Sequence, residues 1–398
     1  AGILRWGPIV PLAARTLEII ADLIRFPTVS ARPNRDLIAY VCDLLAAHDI
    51  PARLFENEDG TKANLLATIG PAEVPGIVLS GHSDVVPTEG QHWSHDPFSP
   101  WQAAGRLYGR GACDMKGFLG LVLAAVPRLA ARPLRRPVHI AISYDEEVGC
   151  AGVGSLVRHL ATLETKPLFV LIGEPTEMRI VTAHKGIRVI RTTLTGRAAH
   201  SSRPGAGANA LVAASRLVTH LAQFADALAD ERDDRFDPSY TTLNIGRMAG
   251  GTAVNIIAER AEIEWEFRPL PGTDADALLD AIRTFAAREI LPALRSGAGE
   301  AADIAFEEVA AAPALDTEGG EDAETFLRRV LGANRTHAVS FTTEAGIFQS
   351  IAGIPAIVCG PGSIDQAHKV DEYVSLAQLE RAQDLIDAVC EAAESGHL

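Results

Sequence analysis

The chain has 398 residues, 47% hydrophobic and 22% charged, with 36 Lys and Arg against 51 Asp and Glu for a formal net charge of −15. That length allows two domains, or one large domain with an insertion, around a sizeable core. So acidic a chain argues against a nucleic-acid or anionic-membrane surface, which would need a basic patch, and no run approaches the roughly 18 uninterrupted apolar residues of a membrane span.

The N-terminal AGILRWGPIVPLAART has a short apolar patch but no h-region with a cleavage site, so no signal peptide is expected. Residues 12–50 read as helices around a break at FPTVS, where Pro27 and Ser30 interrupt the periodicity. ARLFE and ANLLATIG follow as strands about a turn at Asp59-Gly60, then IVLSGHSDVVP as a buried strand and its exit loop. GRLYGRGACDMKG leads into a helix reaching about Arg132. VHIAISYDEEVG, AGVGSLVRHLATL and PLFVLIGEPTEM continue as strand and loop, helix, then strand and loop. This alternation implies an α/β domain with a mostly parallel central sheet, in which functional groups gather beyond the carboxyl ends of the strands.

The texture changes near His184. HKGIRVIRTTLTG, GAGANALVAASRLVTHLAQFADAL, TTLNIGRMAGG, AERAEIEWEFRPLPG, TDADALLDAIRTFAAREILPAL and ADIAFEEVA read as β-α-β-β-α-β, the ferredoxin-like arrangement. The expected organisation is therefore a catalytic domain, 1–183 and 312–398, interrupted by an inserted domain, 184–311. After 312 come a helix (EDAETFLRRVLG), a strand (GIPAIVCGPG), the loop SIDQAHKVDEY and a terminal helix from about Ser375. His184 and Lys185 open the insertion as hinge or plain surface residues, and His48, His92 and His95 read as surface or loop histidines.

The chemistry begins in residues 77–114. His82 and Asp84, two apart on an extended segment, share a face, as a metal-binding imidazole and an orienting carboxylate require. Asp114 stands at the start of a helix, where free main-chain donors and the dipole favour negative charge. A strand-end histidine or a helix-capping aspartate is commonplace alone; the conjunction with Glu147, Glu174 and His368 is not. Two imidazoles and three carboxylates suit zinc, cobalt or manganese better than magnesium, and one carboxylate could bridge two divalent ions. In the adjacent pair Glu146-Glu147, one acid can bind metal while the other acts as general base. The five cysteines (Cys42, Cys113, Cys150, Cys359, Cys390) are scattered and form no CxxC, which suits a reducing cytoplasm and excludes a thiolate zinc cage. Cys113 and Cys150 lie beside the site and read as packing residues. There is no phosphate cradle or GxSxG elbow.

GHSDVVP, GRGACDMKG, DEEVGC, GEPTEM, AAHSSRP and AHKVDEY, in that order from about residue 12 to 385, resemble the acetylornithine deacetylase and succinyl-diaminopimelate desuccinylase family of dizinc amidohydrolases. The fuller strings WSHDPFSP, SYDEEVGCAGV, GGTAVNIIAERAE, TTEAGIFQ and CGPGSIDQAH are closer to its acetylornithine deacetylase branch. The resemblance implies a zinc-aminopeptidase-like catalytic domain and an inserted dimerisation domain. It implies His82 and Glu174 on one zinc, His368 and Glu147 on the other, Asp114 bridging, Asp84 orienting His82, and Glu146 as the base. It also implies that His200 reaches across a homodimer to stabilise the oxyanion. Arg268 and Asn255 could hold a substrate α-carboxylate, and Gly251 and Gly346 could line the pocket. The implied reaction is deacylation of an N-acyl amino acid, with N-acetyl-L-ornithine and arginine biosynthesis first. Another acyl amino acid, a dipeptide, or a non-catalytic scaffold of the same fold remain alternatives.

Overall fold

A computed structural model describes residues 12–30 and 32–398; most of the N-terminal stretch in which no signal peptide is expected lies outside them. The chain divides into two compact units, one of residues 1–183, 315–337 and 343–398, the other of 184–314 and 338–342.

The first unit is built on a sheet whose strands run in the order Ala52–Glu56, Ala63–Ile69, Val138–Ser143, Ile77–His82, Phe169–Pro175, Ala356–Gly360, Val181–His184, Leu315–Asp316. The four central strands pair parallel and are buried along their whole length, which is why they read as unbroken Val, Ile and Leu runs. The outer hairpin Ala52–Glu56 and Ala63–Ile69 is antiparallel, as expected for two strands joined by a short turn.

Helix Lys116–Ala124 is buried on every side, with eight of its nine residues enclosed, so it carries almost no amphipathic signal. Glycines let it seat. A Cβ on Gly173 would enter the Phe118 ring, and one on Gly81 would stand 2.6 Å from Met115 Cε. Helix Ala14–Arg25 covers it, burying Ile19, Ile20, Leu23 and Ile24. Helix Leu376–Ser395 begins where Ser375 Oγ accepts the Gln378 amide at 3.2 Å. The sequence pattern missed a small sheet of Trp101–Ala103, Arg106–Tyr108 and Tyr373–Ser375, because three-residue strands show no period.

The second unit carries strands Ile187–Thr195, Thr242–Gly250, Arg260–Arg268 and Asp303–Ala312 as an antiparallel sheet, in the order second, third, first, fourth. Its helices are Ala210–Leu228, capped by Asn209, and Ala275–Phe285, which continues through a π-helical turn at Ala286–Ile290 into Leu291–Ala298. Its core centres on Ile190, Leu194, Leu217, Ile263, Trp265 and Phe267, and the Trp265 indole donates to Thr192 Oγ1 at 3.0 Å. The segment at His184 reads as one strand but is two, Val181–His184 and Ile187–Thr195, interrupted at Lys185-Gly186.

Gly173→Ala is expected to destabilise the protein by about 1–3 kcal/mol, because the added methyl overpacks the Phe118 contact. A lowered urea midpoint measures this; an unchanged one would mean that Phe118 yields without cost.

Candidate metal centre

Because the four central strands are parallel and adjacent, their carboxyl ends open on one edge. His82 is the last residue of its strand, and Glu174 the last but one of the neighbouring strand. Glu146 and Glu147 lie just past Ser143, and His368 in the loop beyond Gly360. Asp114 comes from the turn that feeds helix Lys116–Ala124. Strand adjacency thus gathers residues that lie up to 286 positions apart in the chain (368 − 82).

Asp114 stands between the two imidazoles. Its Oδ1 is 3.0 Å from His82 Nε2, and its Oδ2 is 3.3 Å from His368 Nε2. His82 Nε2 is also 3.6 Å from Glu174 Oε1, and His368 Nε2 is 2.9 Å from Glu147 Oε2. Two donors about 2 Å from a tetrahedral ion lie roughly 3.3 Å apart, and these spacings bracket that value. The donor atoms of His82, Asp114 and Glu147, and those of His82, Glu146 and Glu174, lie within 4.8 Å of one another. The side chains therefore form a candidate acid and histidine metal site whose mixed N/O donors and lack of thiolate fit a borderline cation such as zinc. Glu146, read from sequence as a base, also lies within reach of a cation.

Asp84 faces His82 with both its carboxylate and its main-chain carbonyl, the carbonyl nearer. The carboxylate contact, from Nδ1 to Oδ1, is 3.6 Å long. The main-chain carbonyl of Asp84 lies 3.0 Å from Nδ1, leaving Nε2 toward Asp114. The carboxylate is taken by the next loop. Oδ1 accepts the Glu146 amide at 3.1 Å, and Oδ2 accepts the Glu147 amide at 3.2 Å and the Ser30 hydroxyl at 2.8 Å. Lys62 joins this loop to its neighbours, donating to Asp145 Oδ1 at 2.5 Å and to the Ser30 carbonyl. Two adjacent acids can diverge here because their backbone is held from below.

Enclosure sets the electrostatics. Burial, reinforced by Glu344 and Asp114 and opposed by His82, raises the Glu146 carboxyl to about 8. Burial and Asp114 raise Glu147 to about 8 against the His368 hydrogen bond, and burial and Asp114 carry Glu174 well above its ordinary range. Burial would raise Asp114 too, but the hydrogen bonds from His368 and His82 outweigh it and hold Asp114 below the carboxylate range. Hydrogen bonds to Asp114 and Glu147 lift His368 to about 10. For His82 burial acts downward, and Asp114 and Glu174 overcome it. By themselves these groups hold protons where a cation would otherwise balance the charge.

The other expected residues fall elsewhere. Gly346 is buried in the turn Ala345–Ile347 of the first unit. His200, Asn255, Gly251 and Arg268 all belong to the second unit. His200 is exposed, its Nδ1 2.8 Å from Ser202 Oγ, and it pairs with Ile256 beside the Ser201 amide's bond to the Asn255 carbonyl. Gly251, at φ +71°, lines a 390 Å³ cavity with Gly250, Thr252 and Ile257. Arg268 ends the strand Arg260–Arg268 and donates to Glu266 at 3.0 Å. The Gly251 amide bonds to Arg260, at the other end of that strand. Eight extended residues span roughly 26 Å, so Gly251 and Arg268 stand far apart on the second unit. Sequence reasoning placed no role on Glu344, Arg110 or Glu372, all 1% exposed. Their signal was present as charged residues inside the strings TTEAGIFQ, GRGACDMKG and AHKVDEY.

Comparison with known proteins agrees with this geometry. The profile of peptidase family M20/M25/M40 matches residues 78–392. An acetylornithine deacetylase of Proteus mirabilis is 32% identical over 383 residues, covering 94% of this chain and 96% of that protein. One from Pasteurella multocida is also 32% identical, over 381 residues, covering 93% and 96%. Among solved structures, an M20 family metallo-carboxypeptidase from Sulfolobus solfataricus superposes with a TM-score of 0.76 at 18% identity, covering 96% of this chain and 100% of its own. A dinuclear metal-binding M20 peptidase from Bacillus subtilis gives 0.65 at 16%, covering 96% and 98%. At those identities the likeness to the two structures is one of fold; the family match and the 32% relatives make this chain a member of peptidase family M20/M25/M40.

Proposed function

We propose that the protein is a dizinc amidohydrolase that removes the acyl group from an N-acyl amino acid, with N-acetyl-L-ornithine as the preferred substrate and L-ornithine and acetate as products. The observation that carries this reading is the Asp114 carboxylate with one oxygen toward each of two imidazoles. The family membership and the two acetylornithine deacetylases at 32% identity support the substrate class. If the substrate is acetylornithine, the reaction belongs to arginine biosynthesis.

His82 and Glu174 would hold one ion, His368 and Glu147 the other, with Asp114 shared. Bound there, the ions would polarise the scissile carbonyl and make a water acidic near neutral pH. The chain supplies the rest. The Asp84 carbonyl fixes the His82 tautomer, and the Asp84 carboxylate holds the Glu146 and Glu147 amides. Glu147 is engaged by His368, which leaves Glu146 to take the proton of the attacking water and return it to the leaving amine.

The protein would act as a homodimer through the second unit. The strand Thr242–Gly250 is an edge of its sheet, and Val212, Met248, Val254 and Ile256 are exposed apolar residues on that unit. In a dimer, Arg268 of one copy and Asn255 of the other could meet one substrate carboxylate, and His200 could stabilise the oxyanion in its partner's site. The five cysteines are free, which supports a reducing, cytoplasmic compartment.

A panel of N-acetyl-L-ornithine, N-succinyl-diaminopimelate, acetyl-methionine and a dipeptide, compared by kcat/KM, is expected to favour acetylornithine and to lose all turnover on chelation. Preference for another member moves the substrate; turnover that survives exhaustive metal removal overturns the reading. Glu146→Gln is expected to lower kcat by about 10²–10⁴-fold at unchanged metal content, and loss of metal instead would make Glu146 a ligand. Titration of the chelator-stripped protein with zinc should release protons. At pH 7 His368, at about 10, and most of Glu147, at about 8, carry protons that a cation must displace, so apparent affinity rises between pH 6 and 8. Calorimetry in buffers of different protonation enthalpy measures that release, and none would exclude His368 as a ligand.

A further inference from the structure

We infer that the buried pair Arg110 and Glu372 is a positioning strut that sets the Asp114 carboxylate and the His368 imidazole relative to each other, and so tunes cation binding; this rests on the metal reading of the site.

Both side chains are 1% exposed, and Arg110 Nη1 donates to Glu372 Oε2 at 2.6 Å. The other oxygen of Glu372 does different work. Oε1 accepts the amides of Cys113 at 2.9 Å and Asp114 at 3.1 Å, so it grips the backbone of the turn that presents the shared carboxylate. The Glu372 main-chain carbonyl accepts the Gly109 amide at 3.0 Å, closing the same turn from its other end.

Arg110 reaches the other way. Nη1 also lies 3.4 Å from the Lys369 carbonyl, and Nη2 donates to Gln91 Oε1 at 2.9 Å. Gln91 Nε2 in turn lies 3.5 Å from the His368 carbonyl, and the Trp93 indole donates to Gln91 Oε1 at 3.0 Å beneath the guanidinium. His368 needs such a hold. It is half-exposed, and its backbone is left-handed at φ +61°, a region that a non-glycine residue keeps only when its surroundings impose it. Asp371, also left-handed at φ +51°, is fixed by the Ser94 amide and hydroxyl at 2.9 and 2.6 Å.

A buried ion pair is a poor source of stability, since apolar residues of similar volume often serve as well or better. What an apolar pair could not do is accept two amides from one loop and donate to a carbonyl of another. Groups that orient metal ligands from behind typically change affinity by about 10–100-fold when removed.

The test is competition titration of chelator-stripped protein with Co²⁺ or Zn²⁺, read as two dissociation constants beside the thermal midpoint. Glu372→Gln is expected to weaken both ions by about 10–100-fold, because Asp114 is shared. Gln91→Ala, which touches the His368 side, is expected to weaken one ion and spare the other, and Arg110→Lys, which also loosens Glu372, to weaken both, the ion on His368 more. Arg128→Gln loses partly exposed pairs with Asp387 and Glu394 and serves as the stability control. It should lower the midpoint and leave both constants alone. Constants for folded Glu372→Gln indistinguishable from those of the unaltered protein would overturn the strut. If that variant does not fold, unchanged constants in Arg110→Lys and Gln91→Ala would overturn it equally. If the unaltered protein binds no cation, the metal reading itself falls; failure of the strut alone leaves wild-type binding intact.

Discussion

An excess of buried acid at one end of a parallel sheet governs this structure. Asp84, Asp114, Glu174, Glu344 and Glu372 are each 5% exposed or less, and an isolated carboxylate so enclosed is costly unless something answers its charge. Asp84 is answered by two amides and a hydroxyl, Glu372 by a guanidinium and two amides, and Asp114 by two imidazoles. Glu146, Glu147 and Glu174 have too few such partners, and their protonation is pushed upward instead. Glu344 keeps one oxygen without a hydrogen-bond partner. Charge left over after every neutral donor is used is what a multivalent cation would balance.

The acids with too few donors lie at the site, while Asp84 and Glu372, well supplied with donors, hold the loops carrying Glu146, Glu147 and Asp114. Asp84 grips the Glu146-Glu147 loop and Glu372 grips the Asp114 turn. Lys62 ties Asp145 to Ser30, whose hydroxyl returns to Asp84. Ligands taken from three loops and two strand ends would otherwise spread, because loops are the most mobile parts of a fold. Here the segments carrying Asp114, Glu146-Glu147 and His368 each have a side chain from another segment bonded to their backbone.

Much of this was legible in the residues. The buried strands announced themselves as apolar runs, and the chemistry-bearing types stood just after them: His82, Glu147, Glu174 and His368. The β-α-β-β-α-β order of the second unit was readable because its strands and helices are long enough to show a period. The fully buried helix Lys116–Ala124 hid its faces, and the three-residue strands at Trp101, Arg106 and Tyr373 left no pattern at all. Arg110 and Glu372 were written in the motif strings, yet a charged residue looks alike in a string whether it is solvated or buried against a partner 262 residues away.

The amino-acid sequence by itself determined which side chains could bind a cation, and that they would follow parallel strands, because strand propensity and residue chemistry are local properties. Only the tertiary structure decided which atoms meet. It gave the two oxygens of Asp114 to two different histidines, and it set the Asp84 carbonyl nearer to His82 Nδ1 than the Asp84 carboxylate. It also set Arg268 at the end of the strand Arg260–Arg268 and Asn255 in the turn that precedes that strand. Those outcomes depend on directions and distances between segments far apart in the chain, which packing fixes and residue order does not.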